Sequence, residues 1–303
     1  MASAIKYLNQ HMRWYHWVGG IAMTGAVNCG IGLALGETYR WVYRDDEKRE
    51  KQFRQQYGTP SEVQRLEVFR YLAKDWDTVV GFKEKRGADS YRHEMLKAAK
   101  GDVLDVACGV CPSLLILKTV EGVKSFVGVD IVEEMVEEAK PRLEQPYPFP
   151  ARVEVGNAHK LNFPDNSFDT VICTMCLCSL EDPAKGLEEM ARVCRKDGDG
   201  GRVLIVEPGV AKNRFIREGQ RYFGIVPQLK HAWEFGWHDD LDPISLVRNC
   251  PSLEVESWST KVLGNWYLIV ARPKLQLEDK KGTDGAVAPS PVPAPAKAAE
   301  TKK

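Results

Sequence analysis

The chain has 303 residues, 44% hydrophobic and 28% charged, with 42 basic against 42 acidic side chains and a pI near 7. That balance offers no general attraction to a phosphate backbone, and no stripe of Lys and Arg interleaved with aromatics is present, so no nucleic acid is expected as a partner. The eight cysteines lie mostly in strand-like segments rather than in the regular framework of a small secreted domain, which favours a reducing compartment.

Residues 1–13 hold Lys6, His11 and Arg13 and no acid, and Ile5, Leu8 and Met12 can share one helical face, the pattern of a short mitochondrial targeting segment. From Trp14 to Gly36, 23 residues pass without Asp, Glu, Lys or Arg. As a helix they extend roughly 35 Å, enough for a hydrocarbon core of about 30 Å. Ala22, Ala26, Gly30 and Ala34 recur at every fourth position, a close-packing face for a partner helix. Trp14, Tyr15 and Trp17 at one end and Tyr39, Trp41 and Tyr43 at the other fit the aromatic belts of two membrane interfaces. A buried helix or a cleaved signal peptide is the other reading, and the aromatic flanks favour a single-pass membrane anchor over it. Arg40, Arg44, Lys48, Arg49, Lys51 and Arg54 follow the span, against Lys6 and Arg13 before it, so the positive-inside count puts the following domain on the matrix or cytosolic side.

Residues 37–57 read as a charged stalk, and 58–273 as one domain. Thr59-Pro60-Ser61-Glu62 is a helix start leading into Val63 to Val80, whose Val63, Leu66, Phe69, Tyr71 and Leu72 suit an accessory helix covering the sheet edge or a cofactor. Apolar runs Val103 to Ala107, Phe126 to Val129, Val153 to Val155, Thr170 to Met175 and Arg202 to Val206 alternate with helical stretches such as Val132 to Leu143 and Ala184 to Cys194. Such alternation means an α/β fold, a parallel sheet with helices on both faces. Leu253 to Ser259 and Trp266 to Ala271 read as a closing hairpin, and residues 274–303, rich in Ala, Pro and Lys, as a disordered tail.

Asp105-Val-Ala-Cys-Gly109-Val-Cys111 follows the first strand and precedes a helix, where open α/β sheets bind ligands at their carboxyl edge. Asp130 ends the second strand, placed so that its carboxylate can accept both hydroxyls of a ribose. Gly156-Asn-Ala-His-Lys-Leu-Asn-Phe-Pro-Asp-Asn-Ser-Phe-Asp169 follows the third, and Arg192 to Gly201 leads into the fifth. A lone glycine turn is weak evidence, whereas four motifs in this order are strong, and the turn is not of the G-x-G-x-x-G form that a nicotinamide site favours.

In this order the motifs resemble class I, Rossmann-like S-adenosylmethionine (SAM) methyltransferases, with a mostly parallel seven-stranded sheet. The resemblance implies SAM as cofactor, its methionine amino group held by Asp105 and its adenine faced by Asn157 and Ala158. It implies further cofactor contacts at Ala107, Cys108, Gly109, Asp130, Ile131 and Thr174. Ala73-Lys-Asp-Trp-Asp77, Lys97 to Gly109, Thr174-Met-Cys-Leu-Cys-Ser179 and Leu263 to Pro273 are similar, more closely, to the Oms-type mitochondrial inner-membrane methyltransferase-like proteins. That resemblance covers about residues 70 to 273 and implies a membrane-anchored enzyme of the mitochondrial inner membrane. Its expected partners are the membrane itself and a lipid-soluble substrate, a quinone-type lipid first, or a membrane-complex subunit. The endoplasmic-reticulum thiol methyltransferase-like proteins share the anchor and the Leu-Cys-Ser segment, so an endoplasmic-reticulum membrane enzyme is one alternative. An assembly factor on a catalytically weak or inactive methyltransferase fold is the other.

Two departures bear on activity. Cys111 stands where the resembling families usually have Gly, and its side chain is expected to crowd the methionine part of SAM; Asn157 replaces the commoner Asp. No catalytic base can be read from the sequence, because the cofactor carries the chemistry of methyl transfer. Tyr222, His231, His238, Asp239 and Asp240 follow the fifth strand, in a region that commonly covers the acceptor, yet each reads more simply as a surface or packing residue. Cys108, Cys111, Cys176 and Cys178 come near one another at two neighbouring strand ends, but small buried hydrophobes explain them better than a zinc site, and no metal is expected.

Overall fold

A computed structural model describes residues 58–78, 87–196, 200–217, 235–238 and 241–275. The chain divides into two compact units, Met1–Gly58 with Arg217–Val226 and Thr59–Ile216 with Pro227–Lys303; the fold below is that of the second. The expected targeting segment, the Trp14 to Gly36 span, the stalk and residues 276–303 of the tail lie outside the described residues. Among the described residues no helix is long and apolar enough to cross a membrane.

Seven strands form one sheet in the order β3-β2-β1-β4-β5-β7-β6. They are β1 (Gly101–Val106), β2 (Val123–Asp130), β3 (Ala151–Val155), β4 (Thr170–Thr174), β5 (Arg202–Pro208), β6 (Leu253–Lys261) and β7 (Trp266–Pro273). The first five are parallel, and β7 inserts antiparallel between β5 and β6, as a hairpin closing the sheet must. Every strand expected from the apolar runs is present. β2 begins three residues before its apolar run because Val123 and Ser125 pair with Gly101 and Asp102 of β1, with Lys124 at the register shift between them, and composition does not report such pairing.

Among the described residues six helices complete the layers: α1 (Glu62–Leu72), α2 (Asp89–Leu96), α3 (Pro112–Leu117), α4 (Glu133–Leu143), α5 (Pro183–Val193) and α6 (Pro243–Asn249). α1 starts at Ser61 through a reciprocal capping box with Gln64. The helix expected from Val63 to Val80 is interrupted after Leu72 by a 3-10 turn, Ala73–Asp75, and resumes at residues 76–78, with the ring of Trp76 5.9 Å from that of Phe69; residues 79–80 lie outside the described residues.

Alternate residues of each strand feed opposite faces. Leu104, Val106, Val127, Val171, Val203 and Ile205 pack under Leu187 and Met190 of α5 and Ile244 and Val247 of α6. Val103, Phe126, Ile172, Leu204 and Leu268 meet Leu96 of α2, Leu114 and Leu117 of α3 and Ala139 of α4. Each such side chain contributes about 1.5–3 kcal/mol by leaving water.

The amino end of β1 turns on Gly101, whose φ is +67°; a Cβ there would lie 2.0 Å from Asp169 Oδ2. That oxygen accepts the Asp102 N–H at 2.8 Å, while Asp169 Oδ1 pairs with Arg195 at 2.5 Å. Gly101→Val is therefore expected to lower stability by roughly 2–4 kcal/mol, through left-handed strain and the broken carboxylate network. Gly122→Ala, at φ +87° with open space around it, should cost only about 1 kcal/mol. Urea midpoints of the two variants compare them directly, and equal midpoints would contradict the role given to Asp169.

Candidate functional site

Beyond the carboxyl ends of β1 and β4 the chain makes left-handed turns. Ala107 (φ 51°), Gly109 (φ 53°), Cys111 (φ 58°) and Met175 (φ 53°) all sit in the left-handed region, three of them without the freedom of glycine. Such strain concentrates where structure serves a ligand. Beyond β1 the Cys108 N–H still donates to Val129 O at 2.9 Å, which ties the turn to β2. At Gly109 no atom lies within 4 Å of where a Cβ would stand, so its backbone faces open space.

Asp105 is 1% exposed, and among the described residues neither carboxylate oxygen has a hydrogen-bond partner. Burial pushes its pKa up to about 7, while nearby Ser113 and Arg92 favour the charged form without reaching it in good bonding geometry. A buried carboxylate with nothing bound to it is costly unless a cationic donor or a bridging water completes it. The primary amine of an amino acid fits that need, so the residues present suit the cofactor expected here.

Asp130 is also buried, which raises its pKa against the pull of the backbone donors around it. Its Oδ2 accepts the Gly109 N–H at 2.8 Å and its Oδ1 the Val132 N–H at 2.9 Å. It thus fastens the glycine turn to the start of α4, a role the sequence did not reveal, and each oxygen keeps a lone pair for a hydroxyl. Ile131, 38% exposed, follows as an open apolar surface, and the buried Ala158 lies beyond β3. Asn157 is exposed; its Oδ1 accepts the His159 N–H at 2.8 Å in a local turn and so has one acceptor site left rather than two.

The expectation that Cys111 crowds the turn is corrected. Its left-handed backbone at the start of α3 directs the side chain inward, where it is fully buried; a Cβ on Gly128 of β2 would stand 2.9 Å from the sulfurs of both Cys108 and Cys111. Cys108 therefore presents only backbone to the open side. Its thiol is held protonated by its hydrogen bond with Cys111 and by burial. The two remaining cysteines of the supposed quartet do not complete it. Cys176 forms a disulfide with Cys173, their Cα atoms 5.6 Å apart across the Met175 turn, whereas sequence reading took it as a buried thiol. Cys178 donates to Met175 O.

Sequence reasoning missed three charged groups. Arg92 of α2, 2% exposed, donates through Nε to Thr174 Oγ1 at 3.4 Å and brings positive charge toward Asp105. Glu207 of β5 is fully buried and accepts three backbone N–H groups, from Cys176 at 3.0 Å, Leu177 at 3.1 Å and Cys178 at 2.8 Å. Arg65 of α1 donates to Ser179 O at 2.9 Å, and the His238 N–H to Cys178 O at 2.7 Å, so the turn after β4 is held by two segments distant in sequence. Arg65 and Arg92 lie on helices, where a charge reads as part of a solvated face, and Glu207 reads as the polar end of the apolar strand β5, so the sequence did not mark them. Tyr222, His231, Asp239 and Asp240 lie outside the described residues.

Over the turn lies an aromatic cap. Phe69, Trp76, Phe235 and Trp237 pack with Val110, Val132, Met135, Met175 and Cys178; Phe235 stacks on Trp237 at 4.9 Å, and Trp76 meets Trp237 edge-on at 6.4 Å. The accessory helix α1 thus supplies one wall of the site.

Comparison with known proteins agrees with this geometry. Residues 104–200 match the family described as "Methyltransferase domain". A phosphatidylethanolamine N-methyltransferase of Cereibacter sphaeroides is 33% identical over 53% of this chain and 73% of its own length. A demethylmenaquinone methyltransferase of Symbiobacterium thermophilum is 31% identical over 50% of this chain and 62% of its own. The mitochondrial methyltransferase OMS1 of Saccharomyces cerevisiae is 25% identical over 70% of this chain and 47% of its own. In fold, a chain from the complex of the Haloferax volcanii Trm112 methyltransferase activator with a methyltransferase matches with a TM-score of 0.51 at 18% identity, over 68% of this chain and 97% of that one. The sheet order, the glycine turn with its two buried acids and these similarities lead to one conclusion: the chain belongs to the class I SAM-dependent methyltransferases, and its cofactor is S-adenosylmethionine.

Proposed function

We propose that this protein is an active methyltransferase anchored in the mitochondrial inner membrane, acting on a lipid-soluble small molecule, with a quinone-type lipid as the first candidate. The observation that carries the reading is Asp105, a sealed and unpartnered carboxylate that a scaffold with no cofactor has no reason to keep. In this reading Asp105 takes the methionine amino group, the open backbone at Gly109 admits the cofactor, and Asp130 takes the ribose. Ile131, Asn157 and Ala158 border the adenine, and Thr174, held by Arg92, borders the methionine end. SAM supplies an electrophilic methyl group for in-line displacement, and the protein orients the acceptor against it.

The acceptor class rests on two supports. The aromatic cap offers an apolar wall beside the cofactor edge. The Trp14 to Gly36 span would keep the domain within one stalk length of a bilayer, where lipid-soluble acceptors meet it at high effective concentration. Similarity to a demethylmenaquinone methyltransferase and to mitochondrial OMS1 points the same way. Deleting the gene should remove one methylated lipid, and neither Asp105→Ala nor Asp130→Ala should restore it. A defect in respiratory complexes on native gels that both variants rescue would overturn the enzyme reading in favour of an assembly factor.

A further inference from the structure

The carboxyl edge carries a second apolar feature, apart from the cap. In the β6–β7 hairpin, Pro208 of β5 pairs with Trp266 of β7, so the hairpin tip, Val262–Gly264, stands beyond the carboxyl end of β5. The segment leaving β5 runs beside it: the Gly209 N–H donates to Asn265 O at 2.9 Å, and a Cβ on Gly264 would lie 3.2 Å from Ala211. Together they present Leu263 at 73%, Val262 at 54% and Phe215 at 88% exposure.

The tip's backbone is costly. Val262 (φ 49°) and Leu263 (φ 54°) are consecutive left-handed residues, one of them β-branched. Asn-Gly would make such a turn without strain, yet large apolar side chains occupy it and are held outward. Around them Lys261 pairs with Glu94, Lys212 pairs with Asp242, and exposed Arg214 adjoins Phe215, so the rim is polar with one cation in excess. An apolar point ringed by charged groups and long basic side chains suits the interface of a bilayer, whose headgroups take the rim and whose acyl boundary takes the point. The described residues begin at Gly58, and 21 residues, 37–57, separate it from Gly36, where the uncharged span ends. A tether of that length limits how far any face of the domain can lie from the bilayer.

We propose that Val262, Leu263 and Phe215 form a membrane-contacting tip that seats the carboxyl edge of the sheet, and with it the acceptor side of the site, on the bilayer surface. The proposal rests on the membrane-anchored reading above and adds an orientation to it.

The test uses the full chain reconstituted into phosphatidylcholine vesicles with a minor share of phosphatidylglycerol. A photoreactive phenylalanine analogue replaces Leu263, Phe215 or, as a control, Lys124, exposed at the opposite edge near the start of β2. Phospholipid adducts are expected at 263 and 215 and not at 124. In a V262D/L263D background the adduct at 215 should fall at least about tenfold, as loss of one or two such side chains from an apolar phase implies, with SAM binding retained to report folding. Adducts from 263 and 215 to protein, within the chain or to a second copy, would overturn the proposal, as would equal lipid labelling at all three positions. Carbonate extraction of the same sample reports the anchor separately. Protein that resists extraction but gives no lipid adduct at the tip sinks the tip alone; protein that is extracted yet labels lipid at the tip sinks the anchor alone.

Discussion

Asp105→Asn is expected to abolish measurable SAM binding and, at the same time, to stabilise the protein without cofactor. Removing one partner from a buried charge pair costs about 2–5 kcal/mol, so affinity should fall by on the order of a hundredfold or more. Stability moves the other way because burial raises the pKa of Asp105 from 3.8 to about 7. The folded state then binds more protons than the unfolded one across that window, so this group makes stability fall as pH rises through it. The penalty is absent below pH 4 and complete above pH 7, where a shift of this size corresponds to about 4 kcal/mol as an upper bound. An amide carries no such penalty, although burying it has its own smaller cost. Thermal melts of Asp105→Asn and wild type should nearly coincide at pH 4 and separate in favour of the variant at pH 8, and saturating SAM should reverse the order. A variant less stable than wild type at pH 8 would show that Asp105 serves the fold rather than the cofactor.

Glu207→Ala is expected to do the opposite. Burial pushes Glu207 up to about 7 as well, while Cys178, through side chain and backbone, and the Leu177 and Cys176 N–H groups pull it down. Removing the carboxylate does not simply relieve a desolvated charge, because three buried N–H groups lose their acceptor, each at about 1–3 kcal/mol. Stability should fall by at least about 3 kcal/mol, which for a domain of this size lowers Tm by roughly 6–12 °C. The turn from Cys176 to Ser179 would lose its support beneath the aromatic cap, so transfer to an acceptor should suffer more than SAM binding. Glu207→Gln keeps one acceptor oxygen but turns an NH2 group toward the donors, and should fall between the two. Calorimetric Kd for SAM alongside Tm separates these effects; a large loss of SAM affinity with unchanged Tm would contradict the bracing role. The two buried acids share a pKa shift and a cause, and what surrounds each decides the sign of its removal.

The alternation of apolar runs with helical stretches determined the sheet and its layers, because a strand buried on both faces has to be apolar and its length sets where it ends. The motif order determined the edge at which the site lies, since Asp105, Gly109 and Asp130 each end or follow a strand of a parallel sheet. The helix start within Thr59 to Glu62 was readable too, because the residues that open a helix act locally, although the capping box of Ser61 with Gln64 was seen only in the structure. Cys111 shows where such reading stops: one dihedral decides whether its sulfur enters the cofactor space or the core, and sequence spacing carries no dihedral. Arg65, Arg92 and Glu207 show the same limit for charge. Their roles depend on groups up to 114 residues away, brought to them by the folded sheet. Composition and spacing are local or periodic quantities, whereas the burial of a charge and the donors that meet it belong to contacts between distant segments, so only the tertiary structure decided them.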